Sequence, residues 1–342
     1  MILKKIKILR KKFKQYNIDG YIIPKNDEYF SEYAKNDRLK NITGFSGSAG
    51  FAVVLKKQNY LFVDGRYTIQ AHQQSSKNFK IIEIHKKLPH TIIKNFNLGY
   101  DPKLFTSKLL SKYFINNNLI SIDQNLIDQI FRFKEKHTQP FYSLDKKIVG
   151  ETYGSKISKV VRFLKNKKAD YCFISAPENV AWLLNIRGYD NPNSPIANAR
   201  LILNKKKELF LIANENNLKK LLLDKKIKKK QILPINSLPQ FLDNLKDKNF
   251  IIDNKTCSIF YEKIIKSKFN ILKFDDPVYE LKSIKSSSEI KHMIEAHKKD
   301  GLALTRFIYW IKNINKKKIT EVYAQNKLEK FRKLNKDYLF PS

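Results

Sequence analysis

The pattern of apolar and polar positions in the first half of the chain predicts a helix followed by strands. Apolar residues recur at helical spacing over residues 1–16, and Gly20 is expected to end this helix. Short apolar runs then predict buried strands at residues 21–23, 51–55 and 60–63. The polar residues between the last two runs predict a β-hairpin.

The second half repeats this order of elements. An apolar stripe at helical spacing (Ile157, Val160, Val161, Leu164) precedes an apolar run at residues 171–174. The segment Asn185-Ile186-Arg187-Gly188-Tyr189 then resembles Asn41-Ile42-Thr43-Gly44-Phe45, 144 positions earlier. Both segments precede two apolar runs joined by a Lys-rich turn, which are residues 201–203 and 209–212 in the second copy. The pattern predicts two α/β domains of one ancestral topology.

The pattern changes beyond Asp276. Pro277 closes the second domain, Ser286 to Glu289 form a capping box, and a long amphipathic helix follows. Thr320 caps a second helix, and Tyr338 to Phe340 look like the start of a strand. Either these helices fold back on the second domain, or a third domain is cut off. We therefore predict domains at residues 1–150 and 151–277, with the start of a third at 278–342.

The composition indicates a soluble, folded protein, whereas the net charge can be interpreted in two ways. The chain has 342 residues with 42% hydrophobic and 29% charged positions, which excludes low-complexity and disordered classes. Its net charge of +35 points to an anionic partner such as nucleic acid. However, the cations are 58 lysines and nine arginines spread along the whole chain, whereas specific readers of bases and phosphates favour arginine. We interpret the charge as a compositional bias and expect no specific nucleic-acid partner.

The cysteines and the apolar runs indicate a cytoplasmic protein. Cys172 and Cys257 stand far apart beside apolar residues, which favours buried, reduced thiols over a disulfide framework. No run approaches the ~18 apolar residues of a membrane span, so we expect no membrane partner. Residues 1–16 are basic and amphipathic, and a mitochondrial presequence is the alternative to an ordinary first helix. We favour the ordinary helix.

The sequence supplies no catalytic or metal-ligating set. None of the six histidines forms a HExxH pair or lies near cysteines at zinc spacing. His292 and His297 are five positions apart, on different helix faces, and are interpreted as surface residues. Asp275-Asp276 precedes a proline and is interpreted as a solvated turn. The glycine-rich segment at residues 44–50 matches neither a P-loop nor a nucleophile elbow, so we predict a structural turn there.

Asp64-Gly65-Arg66-Tyr67 is the strongest candidate for ligand binding. It follows a predicted strand, so a carboxylate and a guanidinium emerge at a strand end. The alternative is an Asp-Gly turn in which Asp64 caps the next helix. Spacing alone favours the cap.

Several motifs follow one another along the chain. The first carries Ser31-Glu32-Tyr33, the glycine-rich segment, Asp64-Gly65-Arg66-Tyr67 and Gln70-Ala71. The later ones are Asn179 to Gly188, Leu281 to Lys285 with Glu289-Ile290, Ala296 to Gly301, and Thr320-Glu321 to Ser342. Together, and in this order along the whole chain, they resemble the three-domain Xaa-Pro aminopeptidases of the creatinase/methionine aminopeptidase superfamily, peptidase family M24.

This resemblance implies a fold and a chemistry. The fold would be α/β, with two similar creatinase N-terminal-like domains with mixed sheets, followed by the first helices of a truncated pita-bread α+β domain. In the family that third domain holds two divalent ions, usually manganese, on two Asp, one His and two Glu. Two cations acidify a bridging water, which attacks the amide between an N-terminal residue and proline. None of these ligands can be assigned to this sequence, so no residue is predicted as catalytic or metal-binding.

One site residue follows from the resemblance. The family's arginine of Asp-Gly-Arg reaches the bound peptide, and Arg66 matches it, which reverses the preference for a mere cap. A guanidinium suits a peptide carbonyl or carboxylate. The family also dimerises, so we expect a homodimer whose partners are peptides with proline in the second position.

Three hypotheses follow. The chain is the N-terminal portion of an Xaa-Pro metalloaminopeptidase, inactive alone; or it is a non-catalytic dimerisation or scaffold module of the same superfamily; or it is a lysine-rich nucleic-acid binder. We prefer the first, because a strand-like ending is unexpected in a module that stands alone.

Overall fold

A six-stranded mixed sheet forms the first unit of the chain. The computed structural model describes residues 2–131, 133, 138–245, 248–315 and 319–341. The strands of this unit are β1 (Gly20–Pro24), β2 (Phe51–Leu55), β3 (Asn59–Val63), β4 (Lys80–Glu83), β5 (Asn97–Tyr100) and β6 (Asn118–Ser121). Its helices are α1 (Ile2–Phe13), α2 (Arg38–Thr43), α3 (Thr68–Ser75), α4 (Pro89–Ile92) and α5 (Ser107–Phe114). The strand order is β4-β3-β2-β1-β5-β6, and β1, β2 and β3 are successively antiparallel.

The first helix and strand show how the local sequence sets this unit. Ile6, Leu9 and Phe13 of α1 are buried against the sheet, as their helical spacing requires. The helix ends earlier than expected, because Asn17 takes a left-handed backbone conformation and the Ile18 N–H bonds to the Phe13 carbonyl. Gly20 is therefore not the helix stop. It opens β1, where a Cβ would lie 2.5 Å from Leu55 Cδ2 on the neighbouring strand.

A second unit repeats the topology of the first. Its strands are β7 (Tyr142–Ser143), β8 (Tyr171–Ile174), β9 (Ile186–Arg187), β10 (Arg200–Asn204), β11 (Leu209–Ile212), β12 (Asn249–Ile252) and β13 (Asn270–Lys273). Its helices are α6 (Lys146–Val149), α7 (Tyr153–Asn166), α8 (Pro177–Leu184), α9 (Glu215–Leu223), α10 (Leu238–Asp243), α11 (Ile259–Lys266) and α12 (Pro277–Ser283). The main sheet has the order β11-β10-β8-β12-β13.

This order equals β3-β2-β1-β5-β6 of the first unit, and the antiparallel and parallel pairings correspond. The predicted mixed α/β repeat is confirmed. The first unit adds β4 at one edge, and the second adds a small β7–β9 ladder.

The recurring Asn-Ile-x-Gly segment takes different conformations in the two units. In the first unit Gly44 is the left-handed cap that ends α2. In the second unit Asn185 is the left-handed cap of α8, and Ile186–Arg187 continue as β9. The sequence similarity therefore marks corresponding places in the topology without an identical backbone.

Two further helices follow the second unit. They are α13 (Ser287–Asn313) and α14 (Glu321–Arg332). The Ser286–Glu289 capping box has both of its hydrogen bonds, and Thr320 caps α14. The start of α13 contacts the second unit, where the Trp182 indole N–H donates a hydrogen bond to Glu289.

The apolar residues of these helices are largely exposed. Ile294 of α13 is 51% exposed and Val322 of α14 is 67% exposed. The second unit therefore leaves most of the apolar face of these helices uncovered. Tyr338 to Phe340 form no strand, since a strand needs a hydrogen-bonded neighbour and no described strand lies beside them.

The two α/β units are joined by a tight interface. The Ile259 and Phe260 N–H groups at the start of α11 bond to the Phe105 and Pro102 carbonyls of the first unit. Arg200 is 3% exposed, donates to the Glu28 carbonyl and stacks between the rings of Tyr29 (4.1 Å) and Tyr261 (4.5 Å). A buried arginine thus connects β10 of one unit to a loop of the other.

The cysteines are free thiols. Cys172 and Cys257 are both buried, as expected from their apolar neighbours, and burial raises the pKa of each thiol. Among the described residues, no helix is long and apolar enough to cross a membrane.

Candidate functional site

Arg66 lies on the surface where β3 ends. Strand β3 stops at Val63, and Asp64 accepts a hydrogen bond from the Arg66 backbone N–H at the start of a 3₁₀ turn, Gly65–Tyr67. The Arg66 Nη2 lies 2.7 Å from Asp64 Oδ2, and Nε lies 3.2 Å from each carboxylate oxygen. The guanidinium beside it lowers the pKa of Asp64 below its usual value. Asp64 is thus both the predicted cap and the ion-pair partner of Arg66.

The Arg66 side chain is presented to solvent on an aromatic support. It is 70% exposed, and its guanidinium carbon lies 5.3 Å from the centre of the Tyr67 ring. A guanidinium paired on one edge and exposed on the rest can still donate to a carbonyl or carboxylate. The geometry therefore permits ligand contact.

The glycine-rich segment holds Tyr67 in place from behind. Phe45 packs edge-on against Tyr67 at 5.7 Å between ring centres, and Ser48 Oγ lies 2.7 Å from the Tyr67 hydroxyl. A Cβ at Gly47 would lie 2.2 Å from the Phe45 ring and 2.8 Å from the Tyr67 ring, so only glycine fits. The predicted structural turn is therefore also the support of the candidate site.

The structure places the remaining described candidates on the surface or in a helix cap. His292 and His297 are exposed on α13, as expected, and His137 lies outside the described residues. Asp275 is exposed and paired with Lys255 at 2.7 Å. Asp276, however, is 4% exposed and caps α12 through the Val278 N–H, so the solvated-turn interpretation is wrong for this residue.

Sequence reasoning missed a buried lysine between α7 and α8. Lys156 is 1% exposed, and its ammonium donates to the Trp182 carbonyl (3.0 Å) and to Asn185 Oδ1 (2.7 Å). The ammonium also lies 3.8 Å from the centre of the Trp182 ring. Desolvation lowers the pKa of Lys156 to about 8. Its position four residues before Val160 of the apolar stripe is the signal that could have placed it inside.

The described residues do not provide a metal centre. Within the described ranges, no three His, Cys, Asp or Glu side chains are grouped so that they could hold a metal ion. The five-residue ligand set implied by the family resemblance therefore does not fit onto this part of the chain.

Comparison with known proteins agrees with the repeated fold. Two family models, both described as the creatinase/prolidase N-terminal domain, match residues 5–130 and 133–289. The two matches follow one another along the chain, as the two sheets do.

Curated relatives and a solved structure match nearly the whole chain. Xaa-Pro aminopeptidase 1 of Dictyostelium discoideum is 30% identical over 99% of this chain and 58% of its own length. A protein of Laccaria bicolor named "Probable Xaa-Pro aminopeptidase P" is 29% identical over 95% of this chain and 54% of its own length. The chain thus spans a little over half of these relatives.

The crystal structure of the X-prolyl aminopeptidase from Caenorhabditis elegans, a cytosolic enzyme with a di-nuclear active site, superposes with a TM-score of 0.86. The two sequences are 25% identical, and the match covers 99% of this chain and 61% of the chain of that enzyme. The strand order, the two consecutive domain matches and these relatives lead to one conclusion. The chain belongs to the creatinase/prolidase family, peptidase family M24, and is similar to its Xaa-Pro aminopeptidases over almost its entire length.

Proposed function

We propose that the chain forms the N-terminal portion of a metal-dependent Xaa-Pro aminopeptidase, which hydrolyses the bond between an N-terminal residue and a following proline. The superposition on the Caenorhabditis elegans enzyme over 99% of the chain is the observation that carries the proposal. As part of this proposal, the domains of the chain are residues 1–150, 151–277 and 278–342. Phe141 packs into the core of the second unit, which favours a first boundary some residues earlier.

The proposal assigns the metal pair to residues other than those described. Two divalent ions, manganese in the first instance, would supply a hydroxide from bound water for attack on the peptide bond. The described residues contribute no metal ligands to this chemistry in the proposal. The two units position the peptide, in a cytoplasmic homodimer.

The activity assay is direct. We expect the purified 342-residue chain to release no N-terminal residue from an Xaa-Pro peptide, with or without Mn²⁺. An active Xaa-Pro aminopeptidase in the same buffer serves as the positive control. Manganese-dependent turnover by this chain would show that it holds a working metal centre and would overturn the assignment.

Arg66 is proposed as a substrate-binding residue. Its exposed guanidinium, fixed by Asp64 and Tyr67, suits a carbonyl or carboxylate of the peptide. Loss of one charge-assisted hydrogen bond weakens binding by about tenfold. We therefore expect Arg66→Ala to lower the affinity for an Xaa-Pro peptide by that factor, measured by NMR titration.

Arg162→Ala is the matched control, because Arg162 is also exposed but lies on α7. Equal affinities for the two variants would remove Arg66 from the site. A chain that binds no Xaa-Pro peptide at all would favour the scaffold hypothesis, which the lack of turnover alone does not distinguish.

A further inference from the structure

A polar cavity lies between the two α/β units, and Arg66 is not among its lining residues. It has a volume of about 270 Å³ and is lined from both sides. The first unit contributes Asp27, Glu28 and Lys35, and the second contributes Asp190, Asn198 and Asn217. The tight interface around Arg200 fixes the two walls relative to each other.

Two buried acceptors in this cavity have no partner. Asp190 accepts hydrogen bonds from the Asn198 backbone N–H (2.8 Å) and from the Asn217 amide group (3.3 Å to each oxygen). Asn217 is only 3% exposed, yet its Oδ1 has no hydrogen-bond partner among the described residues, and the same holds for Oδ1 of Asn198. Buried unpaired acceptors are costly and uncommon. Both oxygens therefore call for a hydrogen-bond donor from outside the chain.

The charges of the cavity favour a cationic donor. Arg38 also lines the cavity, but Asp128 neutralises it through two hydrogen bonds of 2.7 Å. This leaves two cations, Lys35 and the buried Arg200 next to Glu28, against the carboxylates of Asp27, Glu28 and Asp190. The local balance is still negative, which favours a cationic ligand.

The arrangement fits an ammonium group better than a metal ion. The described carboxylates are not grouped as a metal site requires. A primary ammonium offers three N–H donors and can donate them to a mixed set of carboxylate and amide oxygens. Lys35 marks the position, because its ammonium lies 3.6 Å from Asp190 Oδ1 while its side chain is 39% exposed.

We propose that this cavity binds a small molecule through a primary ammonium group, which displaces Lys35 from Asp190 and donates to Asp190, Asn198 and Asn217. Binding of this ammonium group does not depend on whether the chain has aminopeptidase activity.

The test uses the full chain and ethylammonium chloride as the probe. Saturation-transfer NMR of the ethyl signals measures binding, with tetramethylammonium chloride and potassium chloride as competitors. We expect saturable binding that neither competitor displaces at equal concentration, because both carry the charge without N–H donors. Displacement by potassium would identify a general cation site, and absence of saturable binding would identify a cavity filled by water; either result overturns the proposal.

Variants locate the binding. Asp190→Asn should weaken ethylammonium binding about tenfold, since it removes the charge and keeps one acceptor oxygen. Asp275→Asn, the same change at an exposed residue, should leave it unchanged.

Lys35→Met removes the competing ammonium at an exposed position, and should strengthen binding about threefold. If Asp190→Asn fails to fold, the Lys35→Met result alone tests whether ethylammonium binds beside Asp190. Unchanged or weaker binding to Lys35→Met would contradict the placement beside Asp190.

Discussion

Asp276 shows how strongly position within a fold changes a single carboxyl group. Its neighbour Asp275 is solvated, whereas Asp276 is 4% exposed and accepts hydrogen bonds from Asn179 (2.7 Å) and the Val278 N–H (2.9 Å). Desolvation raises the pKa of Asp276 to about 6. The folded state therefore binds a proton here more tightly than the unfolded chain does.

This shift predicts a specific pH dependence. Between pH of about 4 and 6 the folded state holds more protons at this site than the unfolded state, so its contribution to the free energy of unfolding falls as pH rises, by up to about 3 kcal/mol. Asp276→Asn removes the titration and keeps one oxygen for the Val278 N–H. We expect the variant to gain stability relative to the parent between pH 4 and 7, measured by urea unfolding.

The control for this experiment is Asp275→Asn. Because Asp275 is 70% exposed, the difference between this variant and the parent should change little over the same pH range. A flat difference for Asp276→Asn as well would show that its carboxyl group is not desolvated.

At the residue scale the sequence distinguishes such neighbours poorly. Nothing in Asp275-Asp276 says which carboxylate turns inward, because that depends on Asn179, almost a hundred positions earlier. The same holds for Lys156, whose partners lie on the next helix of the unit. Arg66, by contrast, was predicted as a site residue from a motif; its placement at a strand end follows from local sequence, and its role stays a prediction.

At the scale of the elements, the glycine-rich segment between α2 and β2 packs against Tyr67, which in turn supports Arg66. Its packing predicts that Gly47→Ala forces Phe45 and Tyr67 apart, since the new methyl group would lie 2.2 Å from the Phe45 ring. Overpacking of this kind costs about 1–3 kcal/mol. We expect a lower free energy of unfolding. In the peptide titration we expect weaker binding of the Xaa-Pro peptide, because a shift of Tyr67 would displace Arg66.

Gly154→Ala is the matched change. Gly154 lies in the first turn of α7, and a Cβ there meets nothing within 4 Å. This variant should be more stable than the parent by about 0.5 kcal/mol, with peptide binding unaltered. Equal stability of both variants would contradict the tight packing at Gly47.

The elements themselves were largely predictable from periodicity. The strands at residues 51–55, 171–174 and 209–212 and both helix caps at Ser286 and Thr320 agree with the structure, because local propensity and burial point the same way there. Errors arose where a distant partner decides. Gly20 is required by contact with Leu55, and no strand of the described residues lies beside residues 338–340, where a strand was expected.

At the scale of the whole molecule, Arg200 couples the two units. Its guanidinium is sandwiched between Tyr29 and Tyr261, so Arg200→Lys loses the planar stacking and the bond to Glu28. We expect a loss of about 2–4 kcal/mol and independent unfolding of the units. Both tryptophans, Trp182 and Trp310, lie outside the first unit, so fluorescence follows the rest of the chain while circular dichroism follows all of it.

The expected outcome is that the two signals change at one temperature in the parent and at separate temperatures in Arg200→Lys. Arg162→Lys, an exposed arginine, should keep the transitions together. Coincident transitions in both variants would show that other contacts suffice to couple the units.

The repeated strand order has a consequence for how the chain acquires its structure. In each unit the antiparallel hairpin is local, whereas the central parallel pairing joins residues far apart, such as Gly20 with Leu98 and Tyr171 with Phe250. Closing such long loops is slow. We therefore expect each hairpin to form early and each parallel half to dock late. During that interval two similar half-sheets are open on one chain, and exchange of strands between the repeats becomes the characteristic misfolding route.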